Sequence, residues 1–93
     1  MFEKESRMFH IGLSCEQGAG YAILPGDPGR VERIASYLQQ PVFVGQNREY
    51  TTWMGTLQGE RVLVTSTGIG GPSAAIAVEE LAKIGVHTMI RVG

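Results

Sequence analysis

The stretch Tyr21-Ala22-Ile23-Leu24-Pro25-Gly26-Asp27-Pro28-Gly29-Arg30-Val31 decides the fold class. Tyr21 to Leu24 is a short apolar run closed by Pro25-Gly26, the pattern of a buried strand. Asp27 follows as a helix N-cap, with Pro28 at the first helical position. Val31, Ile34, Ala35 and Leu38 then recur at i, i+3, i+4 and i+7, which predicts one apolar stripe on a helix that Pro41 ends. Strand followed directly by helix is the unit of an α/β fold, and the rest of the chain repeats it.

Pro41 to Val44 reads as a second strand, Tyr50 to Leu57 as a third and Arg61 to Thr65 as a fourth, the last two joined by a hairpin turn at Gln58-Gly59. Gly68-Ile69-Gly70-Gly71 is a loop, and Pro72 opens a second helix through Ala77, Val78 and Leu81. Gly85 is its predicted C-cap, and Thr88 to Val92 the fifth strand. The expected fold is α/β with a mixed, largely buried sheet. In such sheets ligands bind beyond the carboxyl ends of the strands. Two of those ends are glycine-rich here, at Pro25-Gly26 and Thr67-Gly68.

Composition bounds the function. The chain has 93 residues, 43% hydrophobic and 18% charged, with a net charge of −1. That is one small domain, neither a strongly basic nucleic-acid binder nor an acidic disordered tail. The single cysteine, Cys15, cannot form an internal disulfide, so a reducing, cytoplasmic setting is expected. No apolar run reaches the roughly 18 residues of a membrane span, and the charged start Met1 to Arg7 lacks a signal-peptide core. The sequence stops at Gly93, where a functional loop is expected, so the residues read as the first part of a longer enzyme.

Six of the eight basic residues are arginine, and three stand at junctions suited to an anion: Arg30, Arg48 and Arg91. A guanidinium is always charged and offers a planar fork of donors that matches phosphate. Arg91, within Met89-Ile90-Arg91-Val92-Gly93, puts a charge in an apolar strand, which is costly unless paired. Pro25 to Arg30 admits two readings: an anion cradle of helix-start N–H groups closed by Arg30, or a proline-capped turn with a solvated arginine. Gly68 to Gly71 is not a P-loop, because the lysine and its following hydroxyl are missing, and Ser73 takes the third glycine position of a GxGxxG pattern. Tight packing of helix on strand explains that loop equally well. Tyr50 and Trp53 read as packing residues, His87 as a surface residue, and Glu79 and Glu80 as solvated helix charges, Glu79 standing four residues before Lys83.

Several segments carry a resemblance to a known family. These are Pro25-Gly26-Asp27-Pro28-Gly29-Arg30-Val31-Glu32, Arg48-Glu49-Tyr50-Thr51-Thr52-Trp53, Ser66-Thr67-Gly68-Ile69-Gly70-Gly71-Pro72-Ser73, Ile76-Ala77-Val78-Glu79-Glu80-Leu81 and Arg91-Val92-Gly93. With Phe9-His10-Ile11-Gly12-Leu13, they resemble the N-terminal part of the bacterial uridine phosphorylases, a branch of the nucleoside phosphorylases. The resemblance covers nearly the whole chain from Phe9 onward. The stretch between Leu13 and Gly18 is shorter than usual in that family, and the first seven residues have no clear counterpart.

The resemblance implies a three-layer α/β/α sandwich with a mixed central sheet, of which residues 1–93 form the N-terminal portion of a single domain. It implies phosphorolysis of uridine to uracil and ribose 1-phosphate, by dimers assembled into a hexamer. Carried over by position, Gly26, Arg30 and Arg91 bind phosphate within the subunit, and Arg48 binds it from the neighbour. His10 reaches across the dimer to the ribose. Glu49, Ile69 (through its carbonyl) and Ser73 match a monovalent-cation site at the dimer interface, with K+ as the ion; no other cofactor is implied. On residue type alone, His10 reads equally as a structural histidine and Glu49 as an arginine's partner. Cys15 reads as a bystander. Two other functions stay open: a purine nucleoside phosphorylase with the same phosphate arginines, and a non-catalytic fragment or assembly partner. Water-using nucleosidases fit less well, because they need no phosphate arginines. Residues 1–93 alone are expected to be inactive, because the family's base-binding residues follow Gly93.

Overall fold

The computed structural model of the chain describes residues 19–47, 50–68 and 70–92. Among the described residues five strands form one sheet: β1 (Tyr21–Pro25), β2 (Gln39–Asn47), β3 (Tyr50–Leu57), β4 (Glu60–Thr65) and β5 (Thr88–Val92). Their spatial order is β2-β3-β4-β1-β5. β1 is parallel to β4 and β5, while β3 is antiparallel to β2 and β4, so the sheet is mixed as expected. Two helices accompany it, α1 (Val31–Ala35) and α2 (Gly71–Lys83). The fold is α/β.

Side chains alternate across a sheet, so each strand serves two cores. On one face Ile23, Trp53, Val62 and Val64 pack with Val31, Ala35 and Leu38, the stripe read from the sequence. On the other, Ala22, Leu24 and Leu63 pack with Ala77, Leu81, Ile84 and Val86 from α2 and the chain after it. Of the three apolar residues by which α2 was read from the sequence, Ala77 and Leu81 are buried and Val78 is exposed.

The turns follow their local chemistry. Gln58 and Gly59 both have positive φ (53° and 85°), the type I′ geometry that matches the twist of a hairpin. α2 ends in a Schellman motif: Val86 N–H donates to the Leu81 carbonyl (3.0 Å) and Gly85 N–H to that of Ala82 (3.1 Å). Gly85 has φ +108°, which a side chain would strain.

Two elements differ from the sequence reading. The first helix is shorter than predicted. A 3-10 turn occupies Pro28–Arg30, and α1 ends at Ala35. Tyr37 and Leu38 then donate to carbonyls three residues back, and the Ser36 hydroxyl donates to the Arg33 carbonyl. The tightened turn still delivers Leu38 to the buried face. β2 is longer than predicted, starting at Gln39 and running to Asn47. A register shift between Gln39 and Val42, with Gln40 at φ 52°, absorbs Pro41, and β2 is an edge strand, where a missing N–H is tolerated.

Leu38 meets β3 at Gly55. A Cβ there would lie 2.5 Å from Leu38 Cβ and 2.9 Å from its Cδ1. Leu38 Cβ is fixed to the backbone and cannot rotate away. Gly55→Ala is therefore expected to destabilise the protein by about 1–3 kcal/mol, the usual penalty of overpacking. The denaturant midpoint of the full-length protein measures this. An unchanged midpoint would contradict the close packing of Leu38 on β3.

Candidate active site

Strand direction brings the candidate residues to one edge of the sheet. β1, β4 and β5 are parallel, so Pro25, Thr65 and Val92 end on the same side. β2 also ends there, at Asn47, which pairs with Tyr50 at the start of β3. The chain segments after β1 and β4 leave from this carboxyl edge.

Hydrogen bonds tie these segments together. Thr67 N–H donates to the Pro25 carbonyl at 2.9 Å, joining the ends of β4 and β1. A Cβ on Gly26 would lie 3.2 Å from the Gly68 carbonyl oxygen, so the two glycine loops are in contact and Gly26 keeps the approach open. Tyr50, buried, donates from its hydroxyl to the Ser73 carbonyl at 2.9 Å and so links β3 to the first turn of α2. The register sets Arg91 beside Leu24, one residue before the end of β1. Arg91 therefore shares the sheet face of Leu24, the face that α2 packs against.

Arg30 is partly buried at the end of the 3-10 turn. Asp27 organises that turn. Its side chain accepts the Gly29 N–H at 2.9 Å, and its carbonyl accepts the Arg30 N–H at 3.0 Å. This bears on the two readings left open for Pro25 to Arg30. The N–H groups of Gly29 and Arg30 already have acceptors, and the helix behind them has five residues, too few for a strong dipole. The N–H groups at this helix start are thus engaged within the turn itself.

Within the described residues Arg91 is exposed, on the last strand in the sheet order.

The sequence profile of the Phosphorylase superfamily matches residues 20–93. The chain belongs to the Phosphorylase superfamily. It is 54% identical over 91 residues to the uridine phosphorylase of Escherichia coli (strain K12), covering 96% of this chain and 36% of that protein. It is 58% identical over 85 residues to the uridine phosphorylase of Treponema pallidum (strain Nichols), with 91% and 33% covered. It is 54% identical over 72 residues to the guanosine phosphorylase of Halorubrum lacusprofundi, with 77% and 30% covered. The chain spans about a third of the length of these relatives.

The superfamily match begins at Gly20, so it includes the whole described sheet. Of the site residues assigned from the sequence, Gly26, Arg30, Ser73 and Arg91 are described, all at or next to the carboxyl edge. His10, Cys15, Arg48, Glu49 and Ile69 lie outside the described residues. His87 is exposed, with Nδ1 2.9 Å from the Thr88 hydroxyl and its ring edge-on to Tyr21.

The sequence reading missed a row of buried hydroxyls at the same edge. Thr52, Thr65, Ser66 and Thr67 are all fully buried. The hydroxyls of Thr52 and Thr65 lie 3.2 Å apart across β3 and β4. The available signal was a Thr-Ser-Thr run after an apolar strand, facing Thr51-Thr52 across a hairpin. Among the described residues, no helix is long and apolar enough to cross a membrane.

Proposed function

We propose that the protein carrying this chain is a uridine phosphorylase. It cleaves uridine reversibly with inorganic phosphate to uracil and ribose 1-phosphate. The observation that carries this reading is the convergence of the Gly26–Arg30 loop, the Gly68 loop and Arg91 on one edge of the sheet. The naming of its relatives as uridine phosphorylases supports it. Residues 1–93 form the N-terminal portion of a single nucleoside phosphorylase domain, and the faces covered by α1 and α2 are two sides of its three-layer sandwich.

The proposed chemistry divides between substrate and protein. A phosphate oxygen forms a bond to the anomeric carbon as the bond from that carbon to uracil N1 breaks. The bonding pair leaves with uracil, which takes up a proton. Positive charge grows on the ribose in the transition state, as in other glycosyl transfers. Arg30 and Arg91, with Arg48 from the neighbouring subunit, hold the phosphate dianion against that carbon and supply proximity. The held dianion stabilises the developing ribosyl cation. Gly26 keeps side chains clear of the phosphate, and His10 of the neighbour orients the ribose. No protein nucleophile is required. Ser73, with Glu49 and Ile69, is assigned to a monovalent cation, and no catalytic step runs through that ion. The working form is a hexamer of paired subunits, and a cytoplasmic setting suits its substrates.

A guanosine-cleaving reading has one observation in its favour, the similarity to a guanosine phosphorylase over 77% of the chain. The two readings share the phosphate site and differ in the base. Incubating the full-length protein with phosphate and either uridine or guanosine distinguishes them. The expected result is ribose 1-phosphate formed much faster from uridine, detected by its phosphorus resonance. Faster release from guanosine would overturn the uridine assignment and leave the phosphate site standing.

A further inference from the structure

We propose that Ser66 is a positioning residue for the phosphate site, a role that rests on the phosphate reading above. β3 and β4 pair regularly up to Thr52 and Thr65. In a regular antiparallel ladder the next facing residues, Thr51 and Ser66, would exchange two backbone bonds. One is present: Ser66 N–H donates to the Thr51 carbonyl at 3.0 Å. The return bond goes to the side chain, where the Ser66 hydroxyl accepts the Thr51 N–H at 2.8 Å.

The substitution of hydroxyl for carbonyl has a structural effect. It keeps the Thr51 N–H satisfied while the chain after Ser66 turns away from β3. The next residue then donates from its N–H to the Pro25 carbonyl at 2.9 Å. Two consecutive residues thus fasten the end of β4 to β3 on one side and β1 on the other. Thr51 is the second residue of β3 and follows the segment that carries Arg48. Pro25 is the last residue of β1 and precedes the segment that carries Gly26 and Arg30. Ser66 therefore sets the spacing between the two chain segments that bring arginines to the phosphate. It is fully buried, so its hydroxyl has no ready replacement from solvent.

The test compares steady-state kinetics of the full-length protein and its variants, with each substrate varied in turn. Ser66→Ala is expected to raise the KM for phosphate about three- to tenfold, the effect of one lost buried hydrogen bond. The KM for uridine should change less than about twofold, and Ser66→Thr, which keeps the hydroxyl, should restore much of the phosphate affinity. The control is the double variant Thr52→Val with Thr65→Val. It removes a buried hydroxyl pair one rung away and should lower stability without changing the KM for phosphate. If Ser66→Ala fails to fold, Ser66→Cys, of similar size but a weak acceptor, is read the same way. The proposal is overturned if Ser66→Ala, or Ser66→Cys in its place, leaves the phosphate KM unchanged or raises it no more than the double variant does. Arg30→Ala in the same assay separates the two levels. A raised phosphate KM there, with none at Ser66, removes only the positioning role. No rise in either variant removes the phosphate reading itself.

Discussion

Arg30→Ala is expected to lower kcat/KM for phosphate by ~10²–10³-fold, the range seen when one preorganised donor is removed from a developing charge. Arg91→Ala should fall in the same range. Arg30→Ala should not unfold the protein, because Arg30 is partly buried in a turn whose backbone is held by Asp27. The lysine variants sharpen the test. An ammonium keeps the charge and loses the planar fork, so Arg30→Lys should recover only part of the loss. Kinetics with phosphate as the varied substrate, alongside a denaturant midpoint for each variant, separate lost binding from lost folding. Full activity in Arg30→Ala and Arg91→Ala would remove both from the site.

Mixing two inactive variants is expected to restore activity. If Arg48 serves the neighbouring subunit's site, Arg48→Ala subunits lack a donor that their partners need, and Arg30→Ala subunits lack one that they need themselves. A mixed dimer then contains one site with both lesions and one with neither. After random exchange of equal amounts, half the dimers are mixed and half of their sites are intact, so about a quarter of the parent activity should return. Exchange is demonstrated first, with two mass-distinguishable tags. No recovery after complete exchange would mean that each subunit builds its site alone.

How much of this was legible in the sequence depended on the kind of signal. β1, the β3–β4 hairpin and the end of α2 were readable because residue type dictates backbone there. Pro25-Gly26 closes a strand, Gln58-Gly59 makes a two-residue turn, and Gly85 accepts a left-handed conformation. The mixed sheet followed from that order of elements. The length of α1 was not legible. Its apolar stripe continues to Leu38, and a tightened turn carries that stripe as well as a helix does. β2 was read short because Pro41 looks like a boundary, and only the edge position and a bulge let the strand pass through it.

At the candidate site, the glycine and arginine positions stood out because each has a local chemical reason. The hydroxyls of Thr52, Thr65 and Ser66 did not. Their bonds join residues 13 to 15 positions apart, and no local pattern announces such a pairing. The contact between Gly26 and Gly68 was hidden for the same reason.

The claim at the centre is that the carboxyl edge of this sheet holds phosphate as the attacking group. Uridine cleavage by the full-length protein, followed in phosphate-free buffer and then with phosphate added, tests it most directly. Negligible cleavage without phosphate, rising with phosphate to saturation and yielding ribose 1-phosphate, is the expected result. Cleavage at the same rate in both buffers, with free ribose as the product, would contradict it.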